Sequence, residues 1–233
     1  MRGAWKSSFA LVALAVAAPF AFTHCSDSEV PLVGSGRGGI ELSAKGSLEI
    51  LFESDRHGDE EIFAMSATGG QQTRLTNDAG RDFLAVLSPD RTKIAFNSDR
   101  DGNFEIYVMN GDGLDVHRIT STPRHEADPD WSPGGNWLAF HVVDGDERHI
   151  VAVNLETRQE RRLTTGNGRN YRPDWAPDGA QILYEAERDG GRDLHVVSIA
   201  DGVSRKVIAG GGHGAWSPNG AVILFARARQ GVM

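Results

Sequence analysis

Polar residue pairs recur at a fixed interval along this chain. They carry guanidinium, imidazole, carboxylate and amide groups, and each pair precedes a short strand-like segment. The pairs are Arg81-Asp82, His125-Glu126 and Arg169-Asn170, at intervals of 44 residues. Arginine forks and carboxylates bind peptides and polar ligands through charge-assisted hydrogen bonds. The pattern predicts a mixed-charge binding surface, although solvated loops without a ligand would fit the same residues.

A second polar series lies slightly further along the same segments. Its members differ in chemistry although the sequence around them repeats. They are Leu84, Asp128, Arg172 and His213. Different side chains at equivalent positions favour recognition over a structural role. We expect the segments 81–84, 125–128, 169–172 and 212–214 to surround one mouth that grips a protein segment or a glycan.

Catalytic motifs are harder to find in the sequence. No serine stands in a G-x-S-x-G turn, and the only cysteine, Cys25, lies outside the repeated region. His125 and His213 are candidate ligands for a metal in a lyase-like or glycosidase-like enzyme, but no Cys/His spacing indicates zinc. We predict no catalytic residue, no metal and no cofactor. A carbohydrate-active enzyme and a ligand-binding sensor remain the alternatives.

An internal repeat of about 44 residues must position these groups. Each period contains a Ser-Pro or Ala-Pro turn and four short segments rich in β-branched and aromatic residues. No segment after residue 40 shows a sustained helical apolar period. Four strands per period predict an all-β propeller. Trp131, Trp175 and Trp216 share one repeat position, where we expect packing between blades.

Another polar position recurs at the start of the third segment of each period. It holds Glu61, Glu105, His149 and Asp193. Because a polar residue recurs in all four periods, we interpret this position as structural, with hydrogen bonds inside each blade.

The repeat resembles a known family. The strings Asp130-Trp131-Ser132-Pro133-Gly134-Gly135 and Asp174-Trp175-Ala176-Pro177-Asp178-Gly179 are similar to the W-S-P-D-G core of TolB-type WD-like propeller repeats. We assign residues 39–233 to such repeats. The resemblance implies a bacterial exported propeller, but blades of this kind occur both in envelope scaffolds and in enzymes.

The number of strands leaves the closure of the propeller open. The repeat predicts four complete four-stranded blades over residues 39–76, 83–120, 127–164 and 171–208. A partial fifth blade supplies two strands, at about 213–227. The propeller is therefore expected to be an open arc, a small ring with an imperfect seam, or a truncated gene product.

The N-terminal residues have the composition of a secretory signal. Arg2 and Lys6 precede an apolar run over residues 9–22, which is too short to span a bilayer as an ordinary transmembrane helix. We predict a signal peptide over residues 1–25 and a flexible linker over 26–38.

Cys25 follows the apolar run and precedes polar residues. This layout resembles a bacterial lipoprotein signal, which implies lipid attachment at Cys25. Phe22 and His24 stand where that pattern has leucine and a small residue. An ordinary cleaved signal is the alternative.

Composition limits the partners. The chain has 233 residues and a net charge of −8, which argues against binding to nucleic acid or to anionic lipid. The only predicted membrane contact is the N-terminal lipid. We predict a non-enzymatic binding or scaffold propeller in the bacterial periplasm or at the cell surface, with an envelope protein or peptide as partner.

Overall fold

The computed structural model describes residues 49–67 and 72–227. The predicted signal peptide, Cys25, the linker and the expected first strand of the first blade lie outside these residues. Seventeen strands are formed in the described residues. They are β1 (Glu49–Ser54), β2 (Glu61–Ser66), β3 (Thr73–Arg74), β4 (Asp82–Leu87), β5 (Lys93–Ser98), β6 (Glu105–Asn110), β7 (His117–Arg118), β8 (Glu126–Trp131), β9 (Trp137–Asp144), β10 (Glu147–Asn154), β11 (Glu160–Arg162), β12 (Arg169–Trp175), β13 (Gln181–Arg188), β14 (Gly191–Ser198), β15 (Ser204–Ile208), β16 (Gly212–Trp216) and β17 (Ile223–Ala226).

The strands form successive antiparallel blades. Blade I has three described strands (β1–β3), blade II has β4–β7, blade III has β8–β11, blade IV has β12–β15, and blade V has β16–β17. One parallel pairing, of Arg148 with Arg169, joins blades III and IV at their edges. The all-β prediction is confirmed, with three complete four-stranded blades and a two-stranded fifth. None of the described residues forms a helix that could cross a bilayer.

The middle strands of blades II, III and IV are buried on both faces. In β6, for example, five of six residues are buried. Side chains of adjacent blades meet between the sheets, so Ala95 and Ile106 of blade II share one core with Leu138 and Phe140 of blade III. This double burial explains why the strands read as apolar runs and not as alternating patterns.

The blades form an arc. Extensive contacts between sheets join each blade only to the next in chain order, and within the described residues blades I and V make none with each other. Strands β4, β8, β12 and β16 contact one another in succession, so they are the inner strands. The open arc, one of the three predicted alternatives, is the arrangement that the described strands adopt.

The recurring tryptophans lie at the blade junctions. Trp131 is 5% exposed and Trp175 is 9% exposed. The Trp131 indole N–H donates to the Val86 carbonyl of the preceding blade at 3.1 Å. Trp216 is half-buried and packs on the last core cluster, beside Leu194. The structure confirms that these residues pack between blades.

Candidate functional site

Each complete inner strand contains the same irregularity. A β-bulge interrupts the pairing of the inner strand with its neighbour, between Ala127 and Asp130 in blade III, for example. One residue in each bulge adopts a positive φ without being glycine. These residues are Leu84 (53°), Asp128 (58°), Arg172 (47°) and His213 (53°). A bulge redirects a side chain, and non-glycine residues in this region of φ are uncommon. The sequence-predicted series therefore has one backbone geometry.

The bulged residues bind to side chains on the second strands of the blades. Asp128 Oδ2 lies 3.1 Å from His141 Nδ1. Arg172 Nη1 lies 3.2 Å from Glu185 Oε1, and the His213 backbone N–H donates to the same carboxylate. In blade II the Leu84 N–H donates to the Glu53 carboxylate in the same way. Carboxylates on the second strand of one blade thus hold the bulge of the next.

The charge of Asp128 is stabilised by its neighbours. Burial acts to raise the pKa of Asp128, but the hydrogen bond with His141 and the positive charge of Arg172 hold it below the usual range. This side of the inner surface consequently keeps an anion between two basic residues.

Arg81 and His125 directly precede the inner strands β4 and β8, and Arg169 begins β12. Arg81 pairs with Asp99 at 2.9 Å, and its guanidinium lies over the Phe104 ring at 4.7 Å. His125 Nδ1 accepts the Phe104 N–H at 3.0 Å, which leaves Nε2 as the donor. Arg169 Nη1 lies 3.4 Å from a carboxylate oxygen of Glu187. These three residues present charged or polar groups to solvent.

Their sequence neighbours Asp82, Glu126 and Asn170 are fully buried. Arg100 lies 2.9 Å from the Asp82 carboxylate, and Arg188 donates to Asn170 at 2.9 Å. Burial raises the pKa of Asp82 to about 6. These buried side chains anchor the beginnings of their inner strands.

Aromatic side chains complete the inner surface, and sequence reasoning missed them. The Tyr171 ring has the Arg148 guanidinium at 5.0 Å and the Arg192 guanidinium at 5.8 Å. Phe83 meets Phe104 edge to face at 5.1 Å. Phe83 and Tyr171 are two 44-residue periods apart, and this spacing was a usable signal. Aromatic faces and arginines together suit polar and aromatic peptide side chains.

The polar position at the start of each third strand is structural, as expected. Arg118 binds Glu105 at 2.7 Å, and Lys206 binds Asp193 at 2.6 Å. Arg74 pairs with Glu61 in the same way, within blade I. In blade III the acid is replaced by His149, whose Nε2 lies 2.7 Å from Arg162 Nη2. Each pair links the third and fourth strands of one blade.

No group of three His, Cys, Asp or Glu side chains arranged to hold a metal ion occurs in residues 49–67 and 72–227. The candidates His125 and His213 each make the separate contacts described above. The described chain therefore offers charged and aromatic contacts, with a different side chain in each blade.

Solved structures share this fold. TolB from Acinetobacter baumannii is similar with a TM-score of 0.71 and 20% identity, over 80% of this chain and 48% of that one. A putative TolB from Agrobacterium tumefaciens is similar with a TM-score of 0.65 and 20% identity, over 77% of this chain and 71% of that one. An oligogalacturonate lyase in complex with manganese gives 0.57 at 16% identity, over 73% of this chain and 51% of that one. The chain thus spans about half the length of the Acinetobacter protein.

No curated protein matches the sequence. The family model named "TolB beta propeller domain" matches it twice, over residues 42–132 and 118–233. These two matches include every described strand, and the solved TolB structures share the arrangement of blades. The chain therefore belongs to the TolB beta propeller domain family.

Proposed function

We propose that this protein is an exported propeller of the bacterial envelope that binds a protein segment at the inner surface of its arc. The observation that carries the proposal is the repeated bulge. One backbone geometry holds four unlike side chains, those of Leu84, Asp128, Arg172 and His213. A surface with constant geometry and varied chemistry is suited to recognition of one irregular partner.

Several contacts support a peptide as the ligand. Arg81 and Arg172 are exposed and each already binds a carboxylate within the chain, so their guanidinium groups are held in place. Preorganised arginine and aromatic side chains are common anchors in protein interfaces. Phe104 and Tyr171 provide the aromatic surface beside them.

Site-specific photocrosslinking in the producing bacterium tests this proposal. A photoreactive phenylalanine analogue at Leu84 should give a protein adduct, because Leu84 is exposed within the proposed mouth. The same analogue at Leu114, which is 59% exposed in the β6–β7 loop, is the matched control. Combined Arg81→Ala and Arg172→Ala substitutions should remove the Leu84 adduct. Equal adducts at both positions, or none at Leu84, would contradict the proposal.

A carbohydrate-active enzyme is the alternative that the sequence left open, and metal analysis addresses it. The purified protein would be dialysed against manganese or calcium and its metal content measured. Stoichiometric metal that is lost in His125→Ala would favour the enzyme over the binding propeller.

Export and anchoring belong to the same proposal. If Cys25 carries the lipid, Cys25→Ser should abolish palmitate labelling and move the protein from the detergent phase to the aqueous phase, because the substitution removes the only predicted site of lipid attachment. Wild-type protein that carries no label and partitions into the aqueous phase would refute lipidation. Loss of export on deletion of residues 1–25 tests the signal separately.

A further inference from the structure

Blade III departs from the repeat at a position where other blades carry an arginine. The β-hairpin between the second and third strands has Arg56 in blade I, Arg100 in blade II and Arg188 in blade IV. The equivalent residue in blade III is Asp144. The exchange replaces a long cation with a short anion at one place in the fold.

Arg100 shows what the missing side chain does. Its guanidinium lies 2.9 Å from Asp82 and 2.6 Å from Asp78, while its Nε donates to the Ser98 hydroxyl at 2.8 Å. It also covers two aromatic rings, Phe96 at 5.5 Å and Tyr107 at 4.8 Å. Arg56 of blade I covers Phe52 and Phe63 in the same manner.

In blade III the corresponding space is empty. A cavity of about 140 Å³ occupies it, far more than one water molecule requires. The counterparts of all five residues that contact Arg100 line this cavity. They are Thr122, Glu126, Phe140, Val142 and Val151. The cavity therefore has the position of an arginine side chain.

The floor of the cavity is buried and lacks a cation for its acid. Glu126 is fully buried, and in the described part of the chain no Lys, Arg or His nitrogen lies within 4 Å of its carboxylate. Phe140 is 1% exposed, and its aromatic ring lines the cavity. His149 is 2% exposed and lines the cavity, and its Nδ1 has no hydrogen-bond partner among the described residues. Unpartnered buried polar atoms carry a free-energy cost that a ligand can remove.

Arg124, at the rim of the cavity, does not occupy the space that Arg100 fills in blade II. Gly80 of blade II packs so closely on Arg100 that a Cβ would lie 2.6 Å from its backbone nitrogen, and the equivalent residue in blade III is Arg124. Arg124 is half-exposed and its Nε lies 3.5 Å from Asp144 at the rim. Arg124 makes no ion pair with Glu126.

We propose that this cavity binds an alkylguanidinium group, as in an arginine side chain of a partner polypeptide, in the place that Arg100 fills in blade II. The ligand would stack on Phe140 and pair with Glu126 and Asp144. This site lies inside blade III and goes beyond the mouth described above, so either proposal can fail without the other.

Binding should depend on pH. Burial raises the pKa of Glu126 to about 8, so the carboxyl group is mostly protonated at pH 7 and must ionise to pair with the ligand. The charged and titratable groups around Glu126 and the cavity are Glu105, Arg118, Arg124, Asp144, His149, Glu160 and Arg162. Affinity should rise by roughly twentyfold between pH 6.5 and pH 8.5, because binding must release the proton from Glu126 at the lower pH, whereas most of the Glu126 carboxyl groups are already ionised at the higher pH.

Methyl-detected NMR on the full chain tests the proposal with blocked amino acids as probes. N-acetyl-arginine amide should shift the methyl signals of Val142 and Val151. The citrulline analogue, which has the same shape but no charge, should bind about tenfold more weakly or not at all. Agmatine and free arginine are compared with the blocked amino acid to identify the ligand. A site for an arginine side chain within a polypeptide should bind the blocked form more tightly than agmatine or free arginine, whereas a site for a small guanidino compound should not. Equal binding of arginine and citrulline analogues, or no shift, would overturn the proposal.

Two variants test the cavity: one fills it, and the other removes the negative charge of its buried carboxylate. Asp144→Arg restores the side chain of the other blades, so it should abolish binding and raise the melting temperature. Glu126→Gln should weaken binding about tenfold and remove its pH dependence, while Glu156→Gln on the exposed β10–β11 turn should change neither. If Asp144→Arg does not fold, Asp144→Met places a long uncharged side chain in the same space. Undiminished binding in a folded cavity-filled variant would refute the assignment.

Discussion

Asp130 lies at the junction of blades III and IV, where its carboxylate accepts the Trp175 backbone N–H at 2.7 Å. Asp174 accepts the Trp216 N–H at 2.7 Å at the next junction. These hydrogen bonds link each inner strand to the following one. The W-S-P-D-G strings contain both acids, but the sequence alone does not show that they bond to the next blade.

Asp130 should make stability depend on pH. Burial, and then the charge of Asp174, raises the pKa of Asp130 to about 8 in the folded chain, whereas an unfolded aspartate titrates near 4. A raised folded pKa means that the native state binds the proton more tightly, so this contribution is complete below about pH 4 and is lost as the pH rises to about 8.

The substitution Asp130→Asn removes this titration and keeps an acceptor oxygen. Urea unfolding at pH 5 and pH 8.5 should show a smaller loss of unfolding free energy in the variant than in the wild type. Asp178→Asn, on an exposed turn, is the control. An unchanged pH dependence in Asp130→Asn would show that Asp130 is not the titrating group.

Within the inner strands, the bulge is the feature that the sequence predicted only in part. The repeat placed Leu84, Asp128, Arg172 and His213 in register, but none is glycine, and only Asp and His among these types adopt a positive φ more often than other residues, so the set as a whole did not indicate one. The conformation is imposed by pairing with the second strand and by the acids that receive the bulge N–H groups. Tertiary contacts here override local preference.

Leu84→Gly tests the strain in this element. Glycine adopts positive φ without steric cost, so relief of strain should offset its greater entropy loss, and we expect stability to change by at most about 1 kcal/mol, towards stabilisation. Ala85→Gly, one residue along the same strand, should instead cost about 1 kcal/mol. Denaturant unfolding compares the two, and equal losses would show that the bulge stores no strain.

Replacement of a junction tryptophan should destabilise the protein most where two blades enclose the side chain. Trp131 packs in the core that joins blades II and III, so Trp131→Ala should cost about 3–5 kcal/mol. Trp216 is half-buried on the last hairpin, and Trp216→Ala should cost less. Calorimetry or urea unfolding measures both. A loss below about 1 kcal/mol at Trp131 would be inconsistent with a core role.

Residue spacing was enough to predict the blades, their strands and the junction tryptophans. It was not enough to predict the blade III cavity, although the change from Arg100 to Asp144 is visible in the sequence. A missing side chain becomes a cavity only if its neighbours do not collapse into the space, and that depends on packing around Phe140 and Val151. Such packing does not show in the spacing of residue types along the sequence.

At the scale of the molecule, the extensive contacts of each blade within residues 49–67 and 72–227 are with its immediate neighbours. Stability in such arrays is close to a sum of unit and junction terms. Among the described strands, blade V makes extensive contacts with blade IV alone, and Leu224 on its second strand is 67% exposed. Its amides should therefore open at lower free energy than those of the central blades.

Hydrogen exchange should reveal this gradient. Amides of β16 and β17 should exchange fastest, and those of β9 and β13 should exchange slowest, because these strands lie between two blades. Mass spectrometry of peptic fragments resolves the difference. Uniform protection across blades III, IV and V would mean that the arc opens as one cooperative unit.

The repeated bulge also bears on how such a protein can acquire a new partner. A left-handed backbone costs most unbranched residues a similar amount and excludes β-branched residues and proline. Substitutions at positions 84, 128, 172 and 213 can therefore alter charge, size and aromaticity with little effect on the scaffold. Selection from a library in which these four positions carry any residue except proline and the β-branched residues should yield new binding specificities without loss of folding, as in antibody loops, but on a sheet whose geometry is already fixed.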